Sequence, residues 1–257
     1  MPNMVIFTAL GWERRAVTAA LGAEPGDRER TWTASLADGS RCVVIQTGVG
    51  ADFAREAAAQ APDASLYLSC GCAGALVDWL RPGDLVVAEA VVALDGAGAA
   101  QALPAVGGAL AASGAARGFR VHTGLVASSL GVLASTAEKA AAGAGGALVV
   151  DMESAAIATV AGERRVPFTA LRVVLDTLGD GLPSADGMVD PASGEVRAVK
   201  AAAHFAARPW LWSAAGRLAR QQRVAARRLQ EFLSVVLRAG GMVLPAWTAT
   251  SVASSGG

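Results

Sequence analysis

Short apolar runs rich in β-branched residues recur between alanine-rich stretches of helical character, and that alternation constrains the chain to an α/β fold. The runs lie at 5–8, 41–46, 66–69, 84–92, 121–126, 148–150 and 168–174, each short enough to be a buried strand. Helices are expected at 12–21, 50–60, 136–143 and 152–163, with a long one over 209–237. No internal repeat is visible. At 257 residues the chain is long enough for two small domains or one enzyme-sized core, and one core is the reading adopted. The expected architecture is a single α/β domain with a mixed, twisted central β-sheet flanked by α-helices. It occupies 1–207, followed by an amphipathic, arginine-rich C-terminal helix over 208–238 and a flexible tail over 239–257.

Composition removes several classes. With 53% hydrophobic and 17% charged residues the chain lies far from the disordered corner. Its 22 basic and 22 acidic residues leave no net charge, so it lacks the footprint of a nucleic-acid binder. Cys42, Cys70 and Cys72 match neither a zinc nor a CxxC spacing, which points to a reducing cytoplasm. His122 and His204 have no partner at ligand spacing, so both read as structural and no metal is expected. No signal or transit peptide is visible at the N-terminus. The longest uncharged run, 96–116, could span a bilayer by length, but it is mostly Ala and Gly with Gln101, Pro104 and Ser113 inside it, and reads as loop and sheet.

Four segments carry chemistry. Gln46-Thr47-Gly48-Val49-Gly50 ends a strand on two glycines that permit a tight turn and bring amides close to a ligand or a helix start. Ser69-Cys70-Gly71-Cys72-Ala73-Gly74 reads as a small-residue loop at a strand's carboxyl end, where ligands sit in open α/β sheets. Val150-Asp151-Met152-Glu153 hands a strand into a helix with two acids in its first turn; Asp151 reads as a cap, Glu153 as a functional group. Arg172-Val173-Val174-Leu175-Asp176 ends an apolar strand on a lone carboxylate, either a cap or an acid held in a dry cleft with a raised pKa. The Gly-, Pro- and Asp-rich stretch 178–194 then reads as an irregular, lid-like loop.

Together with Pro82-Gly83-Asp84-Leu85, the order and spacing of these motifs resemble the purine nucleoside phosphorylase and nucleosidase superfamily over about two thirds of the chain. Within it, Arg208-Pro209-Trp210-Leu211-Trp212 and the arginines that follow resemble the extension of the bacterial hopanoid-associated phosphorylase branch. The resemblance implies cleavage of the N-glycosidic bond of an adenosine-type nucleoside with release of adenine, adenosylhopane being the first substrate candidate. Methylthioadenosine, adenosylhomocysteine or futalosine are the alternatives. It also implies a homo-oligomer, with no cofactor beyond inorganic phosphate as an optional co-substrate. By residue-for-residue match, Asp176 is the acid that protonates purine N7, and Glu153 accepts hydrogen bonds from the ribose hydroxyls, with Met152 packed on the sugar and Arg172 as Glu153's partner. Glu13 stands where hydrolytic members carry the base that activates water; beside Arg14 and Arg15 it reads equally as a solvated first-turn charge. Gly48, Cys72 and Gly74 fall on the binding loops.

Two departures favour hydrolysis over phosphorolysis. Cys72 replaces a serine common in the family, and no arginine precedes that loop, so phosphate would rely on Arg14, Arg15 or backbone amides. Where relatives place an aromatic under the purine, the segment 124–133 has none, which leaves Val132 with Leu133, Trp12 or Tyr67. The C-terminal helix carries an apolar stripe of Leu211, Leu218, Leu229, Leu233 and Val236 opposite Arg217, Arg220, Arg223, Arg227 and Arg228. Two readings stand: packing on the domain, or a peripheral membrane contact at lipid headgroups anchored by Trp210 and Trp212. From a different class, the chain could be a non-catalytic nucleoside-binding or membrane-scaffold relative.

Overall fold

The computed structural model describes residues 2–96, 99–101, 104–181, 190, 193–195, 208 and 212–238, with backbone alone at 99–101, 104 and 105. In chain order its elements are β1 (Met4–Thr8), α1 (Gly11–Leu21), β2 (Glu24–Pro25), β3 (Thr31–Ser35), β4 (Arg41–Gln46), α2 (Ala51–Gln60), β5 (Leu66–Ala75), β6 (Leu85–Ala93), β7 (Ala99–Gln101), α3 (Pro104–Ala115), β8 (Val121–Ser128), α4 (Thr136–Gly143), β9 (Ala147–Asp151), α5 (Ser154–Glu163), β10 (Phe168–Asp176) and α6 (Trp212–Leu233), which continues as a π-helical stretch over Ser234–Arg238.

The mixed sheet is organised by β5. Along one edge β5 pairs first with β1, Met4 opposite Leu66, and at its end with β9, Gly74 opposite Val150. Along the other edge it runs parallel to β10 from Tyr67 to Gly74. Since β10 pairs with β6, β6 with β8 and β8 with β9, five strands close on themselves, and β4, β3 and β2 extend outward from β1. Closure needs a long β5. The expected loop after Ser69 is therefore corrected: the strand runs on to Ala75, because glycine and alanine let neighbouring side chains crowd against its backbone without breaking the ladder.

Both sheet faces are covered, and the strand side chains divide by alternation. Val5, Phe7, Tyr67 and Phe168 pack with Ala54, Ala58, Ile157 and Val160 of α2 and α5. Met4, Ile6, Leu68, Leu171 and Val173 pack with Val17 and Leu21 of α1, Leu110 of α3 and Leu229, Phe232 and Leu233 of α6. The C-terminal part of the stripe on α6 thus lies in the core, while Leu218 is half-buried: Ala225, Leu229, Phe232, Leu233 and Val236 have no exposed surface, and Phe232 meets Phe119 edge-on at 5.3 Å. Full burial of a side chain such as Phe232 stabilises by roughly 1.5–3 kcal/mol. Its arginines face outward, except that Arg217 reaches Asp180 at 3.1 Å. Leu211, Trp210 and the tail over 239–257 lie outside the described residues.

Two segments differ from expectation. The uncharged run contains α3 as well as β7, because its glycines, poor helix formers in isolation, let the helix lie close to its neighbours. A Cβ on Gly107 would stand 3.2 Å from Ala88 O and Val87 Cγ1. The hairpin of β3 and β4 was readable but missed: Asp38-Gly39, with Gly39 at φ +79°, separates alternating Thr31-Trp32-Thr33 from the next strand. Among the described residues no helix is long and apolar enough to cross a membrane.

Candidate active site

A cavity of about 270 Å³ opens where β1, β5, β9 and β10 reach their carboxyl ends, near the lower size limit of small-molecule sites. Its wall is mainly apolar, and Glu13, Glu153 and Asp176 all stand on it, together with Met152, Cys72, Gly74, Val132 and Leu133. Glu13 and Asp176, 163 positions apart in sequence, meet because parallel strands bring their ends together.

Glu13 sits in the first turn of α1 and is 2% exposed, so it is not the solvated charge its arginine neighbours suggest. Its Oε2 accepts from the amides of Ala9 and Leu10 at 3.0 and 2.9 Å, and its Oε1 from the Cys72 amide at 2.7 Å. Arg14 instead stacks on Trp32 at 4.5 Å, and Arg15 is exposed. Gly71 makes room for this arrangement: a Cβ there would come within 2.8 Å of both Glu13 Oε1 and Arg172 Nη1.

Asp151 caps α5 as expected, its Oδ1 accepting from the amides of Glu153 and Ser154 at 3.2 Å. It also holds Arg172, whose Nε donates to Oδ2 at 2.6 Å, while Nη2 donates to the hydroxyls of Ser69 and Ser154. Arg172 is therefore paired with Asp151, not Glu153, and lies behind the cavity wall rather than on it.

Glu153 Oε1 accepts from the Gly50 amide at 2.8 Å. Burial and the neighbouring Asp151 push its carboxyl up to about 7, against the pull of Arg172 and the Gly50 hydrogen bond. Folded Glu153 thus keeps a proton that the unfolded chain releases near 4.5, so stability falls as pH rises from about 4.5 to 7. Glu153→Gln removes this component: thermal unfolding at pH 5 and pH 8 should show a smaller loss between the two for the variant than for the wild type. Equal losses would mean that burial of Glu153 does not govern this range.

Asp176 owes its place to an irregularity. The pairing of β10 with β5 slips between Val174 and Asp176, so Leu175 is an extra residue and Asp176 falls opposite Gly74, where a Cβ would meet Oδ2 at 3.3 Å. The carboxyl is 2% exposed, and burial raises its pKa even though Lys139 opposes the shift. The apolar approach is therefore half of its environment; the other half is an ion pair with the buried ammonium of Lys139. Sequence reading passed over Lys139, although it is one of two lysines among 22 basic residues.

The remaining candidates separate. Gly48, at φ +97°, is off the wall: a Cβ would lie 2.7 Å from Ser193 O, and Val49 takes the wall position, its amide donating to Gly194 O at 2.9 Å. Those contacts hold one end of the expected lid-like loop; 182–189 and 191–192 lie outside the described residues. Tyr67 is buried edge-on against Phe7 with its hydroxyl donating to Pro62 O, and Trp12 packs with the core on the α1 side, which leaves Val132 and Leu133 on the wall. Among the described lining residues Lys139 is the one basic group. Cys72 lines the cavity with its thiol held well above the usual range by burial and Glu13, and burial puts Cys70 and Cys42 at about 12. His122 stacks edge-on with Trp79 at 4.9 Å; His204 lies outside the described residues. Among the described residues no three His, Cys, Asp or Glu side chains are grouped to hold a metal ion.

A family model described as the phosphorylase superfamily matches residues 3–208. No curated protein matches the sequence. Among solved structures, the chain is similar to a 5′-methylthioadenosine/S-adenosylhomocysteine nucleosidase from Neisseria meningitidis, with TM-score 0.69 and 18% identity over 92% of this chain and 98% of that one. A putative nucleosidase of the same description from Francisella philomiragia gives TM-score 0.70 and 19% identity over 92% and 99%. An S-adenosylhomocysteine nucleosidase from Streptococcus pyogenes gives 0.65 and 19% over 90% and 95%. At these identities the likeness shows the fold.

Proposed function

Because this chain belongs to the phosphorylase superfamily, we propose that it cleaves the N-glycosidic bond of an adenosine-type nucleoside and releases adenine, with water as nucleophile. The observation that carries the reading is the convergence of Glu13, Glu153 and Asp176 on one small, mainly apolar cavity. Cleavage passes through an oxocarbenium-like state, which asks for a protonated group at the leaving base, an acceptor at the sugar hydroxyls and a base for water. Asp176, its pKa raised by burial, is the acid. Glu153, held by the Gly50 amide, is the ribose acceptor, and Met152 lies beside the sugar. Glu13, fixed by three amides and aligned from α1, is the base. Val132 and Leu133 face the purine.

Water is favoured over phosphate because the one basic group on the described wall is already paired with Asp176, and Cys72 offers a thiol where a hydroxyl would be needed. Between the lining residues Ser129 and Gly131, Leu130 is 70% exposed, an apolar side chain within reach of an apolar group on the ribose 5′ carbon. This favours adenosylhopane as substrate and places methylthioadenosine, which the similar nucleosidases are named for, second.

The test is chromatographic detection of adenine from adenosylhopane and from methylthioadenosine, each with and without phosphate. Phosphate-independent release from the hopanoid alone is the expected outcome. Release from the small nucleoside alone would make the protein a salvage nucleosidase, a requirement for phosphate would make it a phosphorylase, and no adenine from either would leave a nucleoside-binding protein without catalysis.

A further inference from the structure

Among the described residues that line the cavity, Lys139 is the one basic group, and the scheme above leaves it without a part. It lies one turn into α4, a helix started by a reciprocal cap in which the Glu138 amide donates to Ser135 Oγ at 3.2 Å and the Ser135 amide to Glu138 Oε2 at 2.8 Å. The side chain is 1% exposed. Its ammonium donates to the Asp176 carboxylate, to Thr177 O at 2.8 Å and to Asp180 O at 3.0 Å, which uses all three of its protons. Asp180 is gripped in turn by the Thr177 amide at 2.9 Å, by Gln221 Nε2 at 2.9 Å and by Arg217 Nε at 3.1 Å, the last two from α6. The turn after β10 is thereby fixed from α4 on one side and α6 on the other.

A buried ammonium is a poor choice for stability alone, since an apolar side chain of similar volume would fill the space without desolvating a charge. We propose that Lys139 is the positioning residue of the acid: it aims the Asp176 carboxyl into the cavity and supplies the positive charge that carboxylate requires once its proton has left. The inference rests on the nucleosidase reading. As the bond between C1′ and N9 breaks, its electron pair goes to the base and the Asp176 proton moves to N7. The water oxygen bonds to C1′, and its proton goes to Glu13. Adenine and the free sugar result, with Asp176 anionic and Glu13 neutral. Burial raises the pKa of Asp176, and Lys139 stabilises the carboxylate that remains in the dry site once the proton has left. The other titratable groups around Asp176 are acidic: Asp180 from the turn after β10, and Glu13, Asp151 and Glu153 from α1, β9 and the turn into α5, which share the cavity.

The experiment compares Lys139→Met and Lys139→Arg with the wild type on the nucleoside it turns over and on p-nitrophenyl riboside, whose phenolate leaves without needing a proton. Lys139→Met is expected to lower kcat on the nucleoside about 10²-fold with KM little changed. The alkaline limb of its kcat/KM profile should move to higher pH, because without the neighbouring cation Asp176 holds its proton more tightly. The deficit on p-nitrophenyl riboside should stay below about 10-fold, and Lys139→Arg should recover part of the rate. Should thermal unfolding show that the Met variant does not fold, Lys139→Gln replaces it, keeping hydrogen-bonding capacity without charge. Equal deficits on both substrates with an unmoved alkaline limb would overturn the role of Lys139 and leave it a purely structural residue. No adenine from the wild type on any nucleoside would overturn the nucleosidase reading itself, so the two failures are distinguishable.

Discussion

Asp176→Asn should lower adenine release by about 10²–10⁴-fold, the usual contribution of a positioned general acid. The substitution is nearly isosteric, and its amide cannot supply the proton that purine N7 takes as the bond breaks. Because the loss falls on the transition state, kcat should drop with kcat/KM while KM stays close to the wild-type value. The shape of the cavity survives, since Asp176 packs against Gly74 and the bulge at Leu175, neither of which changes. Steady-state kinetics on folded protein checks the assignment. A kcat within a few-fold of wild type would remove Asp176 from the mechanism.

The second large effect is on stability. Arg172→Met breaks a pair in which both side chains are 3% exposed or less, and removing one partner of a buried pair costs about 3–5 kcal/mol. Against a total of about 5–15 kcal/mol for a typical domain, that is a large fraction. The variant strands the Asp151 carboxylate and deprives the Ser69 and Ser154 hydroxyls of their shared donor. A urea midpoint shifted far downward at unchanged slope is the expected result, and Lys at this position should not rescue it, because an ammonium cannot span Asp151, Ser69 and Ser154 as the planar fork does. Whatever enzyme remains should need a higher pH, since Arg172 is what draws the Glu153 carboxyl downward against burial and Asp151. A midpoint near the wild-type value would mean that the network is dispensable.

Legibility in the sequence tracked how local each cause was. The strand 41–46 and the helix Thr136–Gly143 are read to the residue, since apolar period and capping chemistry lie within their own few positions. The helix Pro104–Ala115 was invisible because its glycines are costly locally, and the close packing that makes them useful involves Val87 and Ala88. The extent of β5 was misread for the same reason, its small residues signalling a loop while serving as clearance for Glu13, Arg172 and Asp176. Membership in the phosphorylase superfamily was readable from motif order over residues 5–176, and the matched span 3–208 agrees.

By itself the sequence determined the fold class and most of the strands and helices, and it singled out Glu13, Glu153 and Asp176, because periodicity and short motifs are properties of neighbours along the chain. The tertiary structure alone decided which charges meet. It buried Glu13 on three amides, paired Arg172 with Asp151, shifted Asp176 by a bulge into contact with Lys139, and sank Leu229, Leu233 and Val236 of the last helix's apolar stripe into the core. Burial and partner choice are set by strands that close on themselves, and no spacing along the chain encodes the distance between groups that only closure brings within reach.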